Sequence, residues 1–593
     1  GNKFRIEFTL GLTGAKRDIR IEPVGVIVIG IDGLRQDVLY PDAIDAVKDG
    51  GAYRIDIASL SGIKEILAGY DQTEAMQRYK MLPEVTAIFP SITLASWASI
   101  FTGKMPKETG ILGNEFFDRL GNNMITFSDG AFPMMSMLDR YPLNPKDTAG
   151  IGAADEALSG NVKTIYESIK EINPELKSVV VLHNYSKGAD KWLYSESLID
   201  KLRLWWNAKV LHDEADVARL MDSSSADDSV NYLESELLGA EGQRNDKPFP
   251  ILFAIYFPGL DHWAHDLGMD TYTQFFTGDT DKTVEKVVKA LKDAGEFDNK
   301  LFIITADHGM TEMPTDLTYV DPYDDSIQPA EMSCKLNVKG FNREDVQEAE
   351  QANNNLHIWE MGEVMKLMPT GEVTPEGKKL YYKVLAPTEI VKANKGETTT
   401  NDPKQADIIA AFNGPMAHIY VKGANGWNDD PQYDLLVKVA DLLQAALSEG
   451  DGPISNLASS VEAILIRSSR NSEYAAFYGD INNPKYVNAD KRIKGMNNPD
   501  RSGDIVLIMR GGTNDSVTDR YTTGVACMSW HGSLNPSDSY VPLIVAYPGG
   551  NRTEIEEILQ KDTLCKTDYS ECKGNWKLTD IIIEMIKRQY PDK

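Results

Sequence analysis

Asp32 closes an apolar run in Ile-Gly-Ile-Asp-Gly-Leu-Arg, Asp261 and His265 follow a second in Pro-Gly-Leu-Asp-His-Trp-Ala-His, and Asp307 with His308 closes a third in Ile-Thr-Ala-Asp-His-Gly-Met. His531, in Ser-Trp-His-Gly-Ser, adds an imidazole just upstream of a further run at Val541. Carboxylates and imidazoles delivered to the carboxyl ends of several strands of one parallel sheet converge on the crevice where such folds bind ligands. Three aspartates and three histidines crowded there are costly unless they take up protons or cations. Mixed oxygen and imidazole donors suit zinc first, with manganese or iron next, so a pair of divalent metal ions is expected.

The stretch from Ile88 to Gly110 contains a turn at Pro90-Ser91 and then a helical pattern, which puts Thr93 at the start of a helix. Backbone N–H groups and the dipole at such a start favour an anion such as a phosphoryl oxygen. A threonine hydroxyl is inert at neutral pH until a base or a metal takes its proton, and the expected ions would do so. Taken alone, Thr93 reads better as a helix cap; its offset from Thr102-Gly103 together with the other residues favours the catalytic reading. His262 adjoins Asp261, but neighbours along a helix point in different directions, so it is read as structural or as a support behind the metal ligands rather than as a ligand itself.

These residues need a frame. Short β-rich apolar runs at Val24–Ile31, Ser178–Leu182, Pro250–Phe257, Lys300–Thr305, Asp504–Met509 and Val541–Ala546 are each followed by a Gly- or Asp-containing loop. They read as buried parallel strands of a doubly wound α/β sheet. Amphipathic stretches at Asn161–Ile172, Asp227–Leu238 and Lys282–Ala294 read as its flanking helices. From Pro329 to Arg501 the sequence turns polar, with a strand at Ala417–Lys422 and a helix at Asp434–Leu447. The expected division is a core over 1–328, an inserted smaller α+β lobe over 329–501, and the rest of the core over 502–593, with a final helix at Leu578–Arg588.

At 593 residues the chain exceeds what one core organises. A net charge of −28 disfavours bulk nucleic-acid binding and leaves an anionic substrate in need of concentrated positive charge, which metal ions would supply. The apolar run Val24–Ile31 is far too short to span a membrane. Of the four cysteines, Cys565 and Cys572 could close a small disulfide in an oxidising compartment. An extracytoplasmic location, periplasmic or secreted, is expected although no export signal is in view.

The series Asp32, Thr93 with Phe101-Thr102-Gly103 and Pro106, Asn114, Asp261 with His265, Asp307-His308-Gly309 and His531 resembles the nucleotide pyrophosphatase/phosphodiesterase branch of the alkaline phosphatase superfamily. The resemblance covers the expected core in order and implies one metal on Asp261, His265 and His531, and a second on Asp32, Asp307 and His308, which the nucleophile Thr93 also contacts as its alkoxide. It implies a phospho-threonine intermediate, phosphoryl contacts from Asn114 and the backbone N–H of Leu94, and a small anionic phosphate ester as substrate. Lys187 resembles a phosphate-binding cation of threonine-nucleophile phosphatases, while Tyr185 stands where those relatives carry a lysine. The diesterase reading is preferred, with a phosphomonoesterase as alternative and a non-catalytic, metal-stabilised binding protein as the alternative of another class. Thr93-Leu94-Ala95-Ser96-Trp97 lacks the Cys-x-Pro-x-Arg setting of an arylsulfatase, and a threonine argues against a phosphoglycerate mutase.

Overall fold

The structure, a computed structural model, describes residues 25–41, 53–126, 153–193, 214–238, 247–312, 365, 368–385, 403–448, 461–484, 486–509, 527–560 and 573–590. Cys565 and Cys572 lie outside them.

The Val26–Ile31 run is buried along its whole length, as expected for a strand with neighbours on both sides and helices on both faces. It sits inside a seven-stranded sheet whose order is Tyr79–Met81, Leu543–Ala546, Leu301–Thr305, Val26–Ile31, Leu252–Phe257, Ser178–Val181, Lys191–Leu193. From Leu301–Thr305 to Lys191–Leu193 all neighbours are parallel. Leu543–Ala546, expected to run parallel, instead pairs antiparallel with both Leu301–Thr305 and Tyr79–Met81. A buried apolar run looks the same in either direction, so its composition could not decide this.

Helices flank the sheet in two packed groups. One contains Gly62–Ile66, Glu214–Tyr232 and Asp281–Asp293, and the other Thr93–Thr102, Ile165–Ile172 and Lys577–Gln589. Ile165–Ile172 starts where the sequence supplies a capping box: Thr164 accepts from the Glu167 N–H, and the Glu167 carboxylate accepts from the Thr164 N–H.

A second, six-stranded sheet has the order Val384–Leu385, Ile408–Asn413, Met416–Val421, Ile505–Met509, Val461–Ile466, Ala475–Tyr478. It overturns the expectation that core sequence resumes at 502, because Ile505–Met509 runs antiparallel between two strands of this sheet. The reason is burial on both faces. Ile505, Leu507 and Met509 pack with the helix Tyr433–Ser448, while Val506 and Ile508 join the main core. Such a strand is uninterruptedly apolar, which is also the pattern of a central parallel strand. Among the described residues no helix is long and apolar enough to cross a membrane.

Candidate active site

Asp32, Asp261, Asp307 and His308 sit just beyond the ends of strands of the main sheet. Asp32 follows Val26–Ile31, and the next residue, Gly33, adopts a φ of +69° where the chain passes so close to Asp261 that a Cβ would lie 3.1 Å from the Asp261 Cβ. The helix Gly259–Leu267 starts directly after the strand Leu252–Phe257 and presents Asp261 and His265 one turn apart on one face. Its first N–H, on Gly259, is held at 2.7 Å by the buried carboxylate of Asp222. Asp307 and His308 follow Leu301–Thr305. Just beyond them, Thr311–Glu312 pairs antiparallel with Ser529–Trp530 and so draws His531 in from the far end of the chain.

The result is one buried cluster. His308 Nε2 lies 3.2 Å from Asp32 Oδ1, 3.1 Å from Asp307 Oδ2 and 3.1 Å from Thr93 Oγ1. His265 Nε2 and His531 Nε2 are 3.1 Å apart and 3.4 and 3.5 Å from Asp261 Oδ1. The His308 and His531 rings stack with centroids 3.4 Å apart. Two compact donor groups emerge, Asp261 with His265 and His531, and Asp32 with Asp261 and His308. Asp261 thus borders both groups. Asp307, assigned to the second by resemblance, remains in contact with His308 but outside that tighter triad.

These donors suit divalent cations. Each imidazole points Nδ1 at a backbone carbonyl: His265 at Ser529, His531 at Ser91 and His308 at Gly309, at 2.8, 2.9 and 2.8 Å. A carbonyl only accepts, so Nδ1 is assigned the proton, and in a neutral ring Nε2 is left as a bare lone pair. Orientation of metal-binding histidines by such carbonyls is a recurrent arrangement. The Nε2 atoms of His265 and His531 meet beside Asp261 Oδ1, a set of donors that a cation would bridge. Asp32 Oδ1, Asp261 Oδ1 and Asp307 Oδ2 are buried without a well-formed hydrogen bond.

The electrostatics carry the same demand for positive charge. Burial, reinforced by Asp307 and Asp261, raises the Asp32 carboxyl well above its ordinary value. Burial opposes the His308 imidazolium, yet Asp307 and Asp32 outweigh it and hold that ring well above its usual pKa. His531 moves the other way, first through burial and then through the charge on His308. A cluster that recruits protons in this way is one in which metal charge can take their place.

Thr93 is the first residue of the helix Thr93–Thr102 and is 7% exposed. The two groups expected to bind a phosphoryl oxygen are bonded to each other: Asn114 Oδ1 accepts from the Leu94 N–H at 3.3 Å. Tyr185 is fully buried, and its hydroxyl donates to the Leu94 carbonyl at 2.9 Å, bracing the same first turn. Lys187 is not drawn into the cluster; its ammonium pairs with Glu167 at 3.3 Å. His262 turns to Asp266 at 3.5 Å, as expected of a residue pointing away from Asp261.

Sequence reasoning missed Tyr256. Its hydroxyl donates to Asp32 Oδ2 from a strand position paired with Gly30. A tyrosine one residue from the carboxyl end of a wholly buried apolar strand was the available signal, because a buried hydroxyl must find a partner.

No curated protein matches the chain. Among solved structures, murine ectonucleotide pyrophosphatase/phosphodiesterase 5 is 14% identical over 88% of this chain and 88% of its own, with a TM-score of 0.40. The human protein of the same name is 12% identical over 88% and 87%, with a TM-score of 0.41. Alkaline phosphatase PafA is 15% identical over 89% and 92%, with a TM-score of 0.48. The family model for type I phosphodiesterase / nucleotide pyrophosphatase matches residues 26–534, most of the chain, and the protein therefore belongs to that family of phosphoric ester hydrolases.

Proposed function

We propose that this protein is a two-metal phosphodiesterase that attacks small phosphate diesters with Thr93. The observation that carries the reading is the convergence of three imidazole Nε2 atoms and three carboxylates in one buried cluster that meets the Thr93 hydroxyl, at a helix start, through His308. Asp261, His265 and His531 would hold one ion, and Asp32, Asp307 and His308 the other. When bound, such ions, zinc first with manganese or iron next, lower the pKa of a hydroxyl or water and neutralise phosphoryl charge.

The chain's own groups then account for the rest. Thr93 Oγ1 forms the bond to phosphorus as the bond to the leaving alcohol breaks, and water later hydrolyses the phospho-threonine, releasing a monoester and restoring the hydroxyl. The Leu94 N–H, at the positive end of the helix, and Asn114 donate to a non-bridging oxygen; for this their mutual bond at 3.3 Å has to be exchanged for bonds to the substrate. Tyr185 stands where a second cation would serve a monoester, and the nearby Lys187 is engaged with Glu167, so the diester is favoured. The net charge of −28 favours small substrates over nucleic-acid polymers. Cys527 is disulfide-bonded, which supports an extracytoplasmic location.

Zinc-loaded protein assayed on bis(4-nitrophenyl) phosphate and on 4-nitrophenyl phosphate tests this. The diester should be strongly preferred, and Thr93→Ala should abolish turnover while leaving zinc bound. A monoester preference would overturn the diesterase assignment, and an active Thr93→Ala variant would overturn the nucleophile.

A further inference from the structure

One turn of the second sheet reaches the active-site loops. Asn413 ends the strand Ile408–Asn413, and Gly414-Pro415 lead into Met416–Val421. The Asn413 side chain is 2% exposed and imitates a strand edge: its Oδ1 accepts from the Glu115 N–H at 3.1 Å, and its Nδ2 donates to the Glu115 carbonyl at 2.8 Å. Glu115 directly follows Asn114. On the other side of Asn114 the chain also lies against this amide, since a Cβ on Gly113 would come within 2.1 Å of Asn413 Oδ1. Both residues flanking Asn114 are therefore packed on one buried side chain from a distant sheet.

The same turn meets the loop of His531. A Cβ on Gly414 would lie 2.4 Å from the His531 carbonyl, and one on Gly532 would lie 3.0 Å from the Asn413 carbonyl. Asn114 itself is only partly buried, and its bond from the Leu94 N–H has to be given up to the substrate, so its backbone position then sets where the amide is aimed. A donor stabilises developing charge only when aimed at the place where that charge appears, and an error of about 1 Å costs on the order of 10²-fold in rate.

We infer that Asn413 is a positioning residue for phosphoryl transfer: by clamping Glu115 it holds Asn114 at the phosphoryl oxygen, which makes the second sheet part of the catalytic scaffold. The inference rests on the hydrolase reading above and on Asn114 as a donor. A residue that merely ties the two sheets together would occupy the same place, and the distinction lies in whether its effect passes through Asn114.

The test is a double-mutant cycle in full-length zinc-loaded protein, with bis(4-nitrophenyl) phosphate as substrate and zinc content measured by elemental analysis. Asn413→Ala should lower kcat roughly 10- to 100-fold with little change in KM or in zinc content. In an Asn114→Ala background the same substitution should cost less than about twofold, because the group it positions is gone. Asn413→Ser, which can serve only one of the two Glu115 groups, should fall between wild type and alanine. It replaces alanine throughout the cycle if the alanine variant does not fold. Equal losses in both backgrounds, zinc loss in step with activity, or a silent Asn114→Ala would each overturn the inference while leaving an active wild type as a hydrolase. A wild-type protein inactive on the diester would overturn the diesterase reading and this inference with it.

Discussion

Replacing Tyr256 by phenylalanine removes one oxygen and should weaken metal binding without touching a ligand. The ring is held by the strand pairing of Tyr256 with Gly30 and by edge-on contacts with Trp97 and His183 at 5.4 and 5.0 Å, all of which phenylalanine keeps. Burial, and then the charge on Asp32, push the tyrosine hydroxyl well above its ordinary pKa, so it stays a proton donor. It occupies Asp32 Oδ2 and leaves Oδ1 toward His308 Nε2 at 3.2 Å. A hydrogen bond to a charged acceptor contributes about 1.5–3 kcal/mol. At 1.4 kcal/mol per decade this is about 10- to 150-fold in affinity, in line with the effect of removing partners that orient metal ligands. Competition for zinc against a chromophoric chelator would measure it, with urea unfolding of the metal-free proteins as control. Unchanged or tighter zinc binding would refute the reasoning, because Asp32 would then be oriented without Tyr256 or would bind better when both oxygens are free.

Chelation should abolish diesterase activity and lower unfolding free energy by about 4 kcal/mol for each ion removed, relative to protein in metal at a thousand times its Kd, with activity returning on zinc addition; activity resistant to chelators counts against the metal assignment. Gly309→Ala forces a Cβ to 1.9 Å from the Ser537 carbonyl and must displace the loop that carries His308, so roughly 1–3 kcal/mol of stability and much of the zinc affinity should be lost together, read by urea unfolding and the same chelator assay. Asp222 is raised from 3.8 to about 7, chiefly by burial, even though Thr280 and the Gly259 N–H bond to it. The folded protein thus holds a proton that the unfolded chain releases, so this contribution is complete below pH 3.8 and is lost as pH rises toward 7. Relative to Asp222→Asn, wild-type stability should fall on the order of 4 kcal/mol over that window, and parallel urea-unfolding profiles of the two proteins would contradict it.

Much of the site was legible because its chemistry is carried by residue type next to a strong local pattern. Asp32 after Val26–Ile31, Asp261 after Leu252–Phe257 and Asp307 after Leu301–Thr305 each follow a buried run that could only be a strand, and strand ends of one parallel sheet share an edge. Tyr256 and Asn413 were not legible as parts of the site. One belongs to a buried apolar strand, the other lies 299 positions after Asn114, and each bonds a partner that only pairing or packing brings near.

From the chain alone, then, came the doubly wound sheet, the clustering of acids and imidazoles, and the threonine at a helix start, because periodicity and residue chemistry are local properties. Tertiary structure decided the direction of Leu543–Ala546, the transfer of Ile505–Met509 to the second sheet, the position of Asp261 between both donor groups, and the pairing of Lys187 with Glu167. Each depends on which surface a segment meets across space, and a buried strand or a half-exposed lysine carries the same composition whichever surface that is.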